Sequence, residues 1–154
     1  MEKVIYKWTG PKNDDFQRFY LITEAYYDSL VGGKRNRIGF VPYNISESIH
    51  DVLISYINDK AVACAGLKKY NESDTEIKRV WVEPAYRGKH IASAMMDMIE
   101  EKASQQGFGR VILQTREQMT DAVSLYINRD YYRIENYPPY DGLEGAVCFA
   151  KDLV

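Results

Sequence analysis

Apolar and polar positions alternate or recur along this chain with periods that change at turn residues, and those changes set the elements. Residues 3–8, KVIYKW, have the character of a short strand. Asn13 or Asp14 is placed to cap a helix carrying Phe16, Phe19, Tyr20, Thr23, Tyr27 and Leu30 at helical spacing, with Gly32-Gly33 as its stop. The segment KRNRIGFVPYNIS is irregular, and its Gly39, Pro42 and Asn44 indicate loop. DVLISYI and KAVACAGLKK then predict two strands around a tight Asn58-Asp59 hairpin. A third strand, TEIKRVWVE, follows the turn YNESD. Its consecutive apolar Val80, Trp81 and Val82 imply cover on both faces and a central place in the sheet.

The strongest helical stripe comes next. Ile91, Ala94, Met95, Met98 and Ile99 fall on one face, opposite Ser93, Asp97, Glu100 and Glu101, and Gln105-Gln106-Gly107 closes the helix. RVILQT is a buried strand, so strand, helix and strand make a parallel crossover. Thr120 is placed to cap a short helix through Asp121, Ala122, Leu125 and Tyr126. YYRI and AVCFAKDL finish as strands on either side of the turn-rich NYPPYDGLEG. The sum is an α/β (α+β) single domain: a mixed sheet with helices on both faces.

Totals narrow the function. With 154 residues, the chain is long enough for one buried core, and no repeat or linker divides it. Lys and Arg number 20 against 22 Asp and Glu, without the basic excess of a duplex-binding protein, so nucleic acid is not an expected partner. No apolar run is long enough to span a membrane, and MEKVIYKWTG lacks the core of a signal peptide. Cys64 and Cys148 lie in apolar runs and read as buried thiols of a reducing, cytoplasmic compartment. Neither histidine has a Cys or His neighbour at metal spacing, so no metal site is expected; His50 reads as a surface residue. No Ser-His-Asp or Cys-His arrangement points to a covalent acyl-enzyme. The 13 tyrosines against 5 phenylalanines suit aromatic pocket walls with wet hydroxyls.

The segment VWVEPAYRGKHIASAMM carries the candidate chemistry. A helix's first turn leaves backbone N–H groups unpaired and bears about half a positive charge, both suited to a phosphate. Gly88 permits close approach, and Arg87 and Lys89 add charge. The same residues also make an ordinary solvated turn. Neither a Walker motif nor a dinucleotide glycine fingerprint is present.

VWVEPAYRGKHIASAMMDMIEEKA, GFGRVILQT and AVSLYINRDYYRI together resemble the acyl-CoA-binding core of the GNAT superfamily of N-acyltransferases. The likeness covers roughly residues 51–153, and the N-terminal third matches only by layout. It implies a sheet splayed between the TEIKRVWVE and RVILQT strands. Pantetheine would lie against Val80, Trp81 and Val82, with the pyrophosphate on the amides of Arg87, Gly88, Lys89, His90, Ile91 and Ala92. Acetyl-CoA would be the co-substrate, and a primary amine of a small molecule or peptide the acceptor. In that family the turn usually reads Arg/Gln-x-x-Gly-x-Gly/Ala, whereas His90 stands at the central glycine. Met119 stands where a coenzyme-contacting Asn or Gln often precedes the second helix. Homodimerisation is a further expectation from similar proteins, and no residue here argues for it.

N-acyl transfer by direct attack needs a neutral amine, although a lysine-like amine ionises near about 10.4. It also needs donors for the oxyanion and a proton for the departing thiolate. The resemblance places Tyr126 beside the sulfur as the acid; a core tyrosine bonded to backbone is the other reading. Glu76 is the candidate base, on the same nominal face as Lys78 and Val80 unless a bulge intervenes. An ion pair with Lys78 or Arg79 is its alternative. By family layout, Phe40, Tyr43, Asn44, Tyr137 and Tyr140 would border the acceptor; Pro138-Pro139 and its tyrosines equally serve to stiffen a loop. The rival functions are an acyl-CoA sensor without turnover and an interaction domain with no cofactor.

Overall fold

The computed structural model describes residues 3–30 and 48–153. Seven strands are β1 (Val4–Thr9), β2 (Asp51–Ile57), β3 (Lys60–Lys69), β4 (Asp74–Val82), β5 (Arg110–Arg116), β6 (Tyr132–Ile134) and β7 (Ala146–Asp152). The described helices are α1 (Asp14–Leu30), α2 (Ile91–Gln105) and α3 (Thr120–Asn128), with a 3-10 turn at Pro84–Tyr86. The sheet order is β1-β2-β3-β4-β5-β7-β6, which puts β4 in the middle, as its apolar run implies. Among the described residues only the β4–β5 pairing is parallel, and α2 makes the crossover between them.

Local signals explain most element ends. The Asn13 side-chain oxygen accepts a hydrogen bond from Phe16 N at 3.1 Å, capping α1. Asn58 and Asp59 take φ of 49° and 65°, the left-handed pair that a two-residue hairpin requires. At α3 the capping residue is Met119 rather than Thr120, and no side chain bonds the first turn. Thr120 is itself helical, so its hydroxyl is one position too late to cap. The side chains of Tyr27 and Leu30 and the Gly32-Gly33 stop lie outside the described residues.

Alternation on the strands feeds two cores. Leu53, Leu67, Ile77, Val111 and Leu113 face Met95, Met96 and Ile99 of α2. On the other face, Val52, Ile54, Cys64 and Trp81 pack against Phe16 and Phe19 of α1. Helices therefore cover both faces. Cys64 and Cys148 are both buried free thiols, and burial pushes the Cys64 thiol up to about 12.

Two irregularities open the middle of the sheet. β4 and β5 pair only from Asp74–Arg110 to Glu76–Ile112 and then part. Between Cys64–Trp81 and Gly66–Lys78 the β3–β4 register shifts, so Ala65 faces both Arg79 and Val80. Arg79 has φ 58°, which marks a bulge. The closed end of the seam is fastened by Arg110, whose Nε and Nη2 donate to the Asp74 carboxylate at 3.1 Å each. Gly109 N and Arg110 N both donate to Ser73 O, at 2.8 and 3.2 Å.

Gly66 sits where this bulged pair is tightest: a Cβ there would lie 2.8 Å from Ile49 Cγ2. Gly66→Ala is therefore expected to cost about 1–3 kcal/mol by overpacking, read as a lower urea midpoint with unchanged slope. An unchanged midpoint would mean that Ile49 yields freely.

Candidate active site

A cleft of about 470 Å3 occupies the gap between β4 and β5, within the size range of small-molecule sites. Its walls are residues 77–82 of β4, 113–116 of β5, the turn and first residues of α2, α3 with Tyr126, and Tyr26 of α1. Val80, Trp81, Val82, Arg87, Gly88, His90, Ile91 and Ala92 all line it. Lys89 does not; its ammonium lies 5.5 Å from the Tyr86 ring centre.

Backbone direction suits the gap. Glu83 N donates to Val62 O at 2.8 Å, which makes the neighbouring Ala63–Val82 partners a non-hydrogen-bonded pair. The peptide groups of Val82 therefore point away from β3 and into the opening. Arg87 Nε reaches the Val82 carbonyl at 2.8 Å, and its guanidinium covers the Trp81 ring at 4.8 Å. The arginine thus braces the mouth of the cleft as well as charging it.

The start of α2 is built for an anion. No side chain caps it, and its first turn holds no acid, so the unpaired amides and their partial charge are not answered from within the helix. Open space lies above Gly88, where a Cβ would meet nothing within 4 Å. Gly88 and His90 have φ of 78° and 62°. The turn thus demands the left-handed region at His90, the one place where glycine would be at ease and histidine is strained. A diphosphate on these amides and an extended arm along the open β4 edge fit the residues present.

Tyr126 is buried in the cleft wall, and its ring lies 5.6 Å from Tyr131 and 6.3 Å from Phe149. Met119 also lines the cleft, so the position at which the resemblance expects a polar residue falls in the wall itself.

Glu76 is placed differently from the cleft-lining residues. It is buried and lies outside the cleft wall, and its Oε2 accepts a 2.7 Å hydrogen bond from the Tyr137 hydroxyl. Lys78 Nζ stands 3.9 Å from the same oxygen and donates to the Tyr140 hydroxyl at 2.7 Å. Burial, then Glu76, drives the Tyr137 and Tyr140 phenols far up from their usual range. Tyr137 and Tyr140 therefore stand in a buried polar cluster rather than in the cleft wall. Phe40, Tyr43 and Asn44 lie outside the described residues.

The bulge corrects one expectation. Val80 does not share a face with Glu76 and Lys78: the extra residue at Arg79 turns Val80 to the α2 side with Ile77 and Val82. Trp81 and Arg79 go to the α1 side, where Arg79 bonds Thr23 Oγ1 at 2.9 Å and pairs with Glu24. Of the two cations offered as partners for Glu76, only Lys78 is beside it. Sequence alone offers Lys78 and Arg79 only as ion-pair partners of Glu76, and it does not single out Tyr26, Gln118 or the 113–116 stretch of β5. A signal existed for the first pair, since two cations inside an otherwise apolar central strand require buried partners.

The model of the acetyltransferase (GNAT) family matches residues 13–131, well over half of the chain. The protein belongs to that family. The match begins at Asn13, the cap of α1, before the motifs that carry the likeness in sequence. Acetyl-CoA is the co-substrate of GNAT acetyltransferases. A Klebsiella pneumoniae protein whose name assigns it provisionally as an acyl-CoA N-acyltransferase superposes with TM-score 0.80 at 21% identity, covering 100% of this chain and 99% of that one. A GNAT family acetyltransferase from Staphylococcus aureus gives 0.74 at 14% identity, over 97% and 100%. One from Elizabethkingia anophelis, with acetyl-CoA bound, gives 0.70 at 14%, over 97% and 98%. At these identities the likeness is one of fold.

His90→Gly is expected to raise stability by about 0.5–1 kcal/mol, because relief of the left-handed strain exceeds the added chain entropy. His90→Val is expected to lower it by about 1 kcal/mol or more. Thermal unfolding of both variants checks the pair, and equal midpoints would remove strain from the account of this turn.

Proposed function

We propose that the protein transfers the acetyl group of acetyl-CoA to a primary amine of a small molecule or peptide by direct attack. One observation carries the reading: the interrupted β4–β5 ladder opens a cleft whose mouth is the uncapped start of α2 and whose wall holds Tyr126. The fold shared with the acetyl-CoA-bound Elizabethkingia protein supports it.

In this reading the diphosphate rests on the amides opening α2, and the arm pairs with the edge that β4 turns to the gap. The bound thioester supplies an activated acyl carbon and a sulfur leaving group. From Val82 back to Ile77 the strand spans about 16 Å at its usual rise, which carries the thioester towards the closed end of the seam. Amides turned into the gap offer donors to the oxyanion. The new N–C bond forms as the C–S bond breaks. The Tyr126 hydroxyl gives its proton to the thiolate and recovers one from the attacking nitrogen. Glu76 acts on the acceptor through its buried cluster, since it is outside the wall. The acceptor enters on the α1 side, beside Tyr26 and Trp81. We place the protein in the cytoplasm; among the described residues no helix is long and apolar enough to cross a membrane.

Tyr126→Phe is expected to lower turnover by roughly 10²-fold while changing acetyl-CoA affinity little; free-thiol release and calorimetry separate the two, and full activity would remove Tyr126 from the reaction. Gly88→Glu should weaken coenzyme A binding at least 10-fold, because charge and bulk enter the phosphate turn in a left-handed position. Undiminished heat would put the phosphates elsewhere. Binding of acetyl-CoA with no thiol released from any amine would favour a sensor.

A further inference from the structure

Lys78 is a lysine in a place that lysines avoid. Only 7% of its side chain is exposed, in the middle of a central strand. Burying an ammonium costs several kcal/mol unless a counter-charge and hydrogen bonds answer it. The groups facing it are Glu76 and Arg79 on its own strand, Lys68 from β3, and Tyr140, with Tyr137 behind Glu76, from the segment between β6 and β7. Arg79 is paired with Glu24 of α1, so Glu76 is the carboxylate beside the lysine. Burial lowers the Lys78 amine to about 8, against the pull of Glu76, with Lys68 and Arg79 adding to the fall. A group poised there exchanges a proton within the working range of a cytosolic enzyme.

Position singles it out further. Lys78 lines the cleft while its amine reaches Tyr140 and Glu76, so it is the residue that joins the cleft to a cluster whose other members do not line it. Among the described residues, the imidazole and carboxylate side chains of the wall are those of His90 and Asp121. His90 sits at the phosphate end, and Asp121 is in the first turn of α3. Lys78 lies two residues beyond Glu76, the last β4 residue paired with β5, and so at the closed end. The thioester of the proposed reaction comes to that end.

We propose that Lys78 takes the proton that the acceptor ammonium gives up before attack, and that Glu76, Tyr140 and Tyr137 are positioning residues that hold Lys78 for this step. The inference rests on the acetyl-transfer reading above. An N–H bond of the ammonium breaks, its electron pair stays on nitrogen, and the proton resides on Lys78 Nζ, where Glu76 answers the new charge. The nitrogen pair then forms the N–C bond. The second proton of the nitrogen replaces the one that Tyr126 gives to sulfur. Lys78 returns its proton to solvent between turnovers.

The pH profile of kcat/KM tests this, measured as free-thiol release from acetyl-CoA with polyamines, aromatic monoamines and peptide N-termini as acceptors. The active form carries neutral Lys78, so activity should fall as pH drops through about 8. Lys78→Arg keeps the positive charge and cannot lose it. It is expected to lower kcat/KM by roughly 10²-fold and, with polyamine acceptors, to move the limb up to the acceptor's own ionisation, with the heat of acetyl-CoA binding unchanged. Tyr140→Phe removes the acceptor of the lysine's hydrogen bond and should shift the limb to lower pH, a change that a merely structural tyrosine would not produce. Wild-type rate and limb in Lys78→Arg would overturn the role of Lys78 while leaving acetyl transfer in place. If Lys78→Arg fails to fold, an unmoved limb in Tyr140→Phe overturns it. Wild-type protein that gives no heat with acetyl-CoA would remove the parent reading and this one together. Heat without thiol release from any amine would overturn both catalytic readings and leave binding.

Discussion

Between β4 and β5 the parallel ladder runs for three residue pairs and then stops, and the site depends on that stop. Before it, Asp74 and Arg110 lock the strands together with a two-bond ion pair. After it, β4 keeps its bonds to β3 and β5 keeps its bonds to β7 along all seven residues. An opening in a sheet ordinarily leaves costly unpaired peptide groups. Here those groups line a cleft, where a ligand with amides of its own can satisfy them.

The bulge at Arg79 follows the stop and sorts the side chains. One extra residue turns Arg79 and Trp81 to the α1 face. Val80 and Val82 stay with the α2 core. Arg79 is then buried, and Thr23 and Glu24 of α1 answer its charge. Helix α1 thus carries part of the electrostatic support of the central strand.

Charge is distributed unevenly along the cleft. At the mouth, the amides of α2 and Arg87 favour an anion. At the closed end the charges are buried and nearly balanced, with Lys78 beside Glu76 and both tied to tyrosines. The first environment has the charge that the proposed phosphate site requires. Proton exchange suits the second, where small changes in burial move an ionisation across the neutral range.

Much of this was legible in the chain. The periods of Ile91 to Ile99 and of the hairpin strands, the Asn58-Asp59 turn and the Asn13 cap are encoded within a few residues, because helix phase, strand phase and turn dihedrals are local properties. The anion-ready start of α2 follows from the same local chemistry. The Arg79 bulge was not legible, since register is settled by the partner strand and the packing on each face. Nor was the cluster that joins Glu76 to Tyr137 and Lys78 to Tyr140 across 61 and 62 residues. Spacing along a chain carries no record of contacts that distant; only closure of β7 against β5 brings those tyrosines beneath the central strand. Residue types and periods defined the elements and one end of the site, and the tertiary fold decided which charges meet at the other.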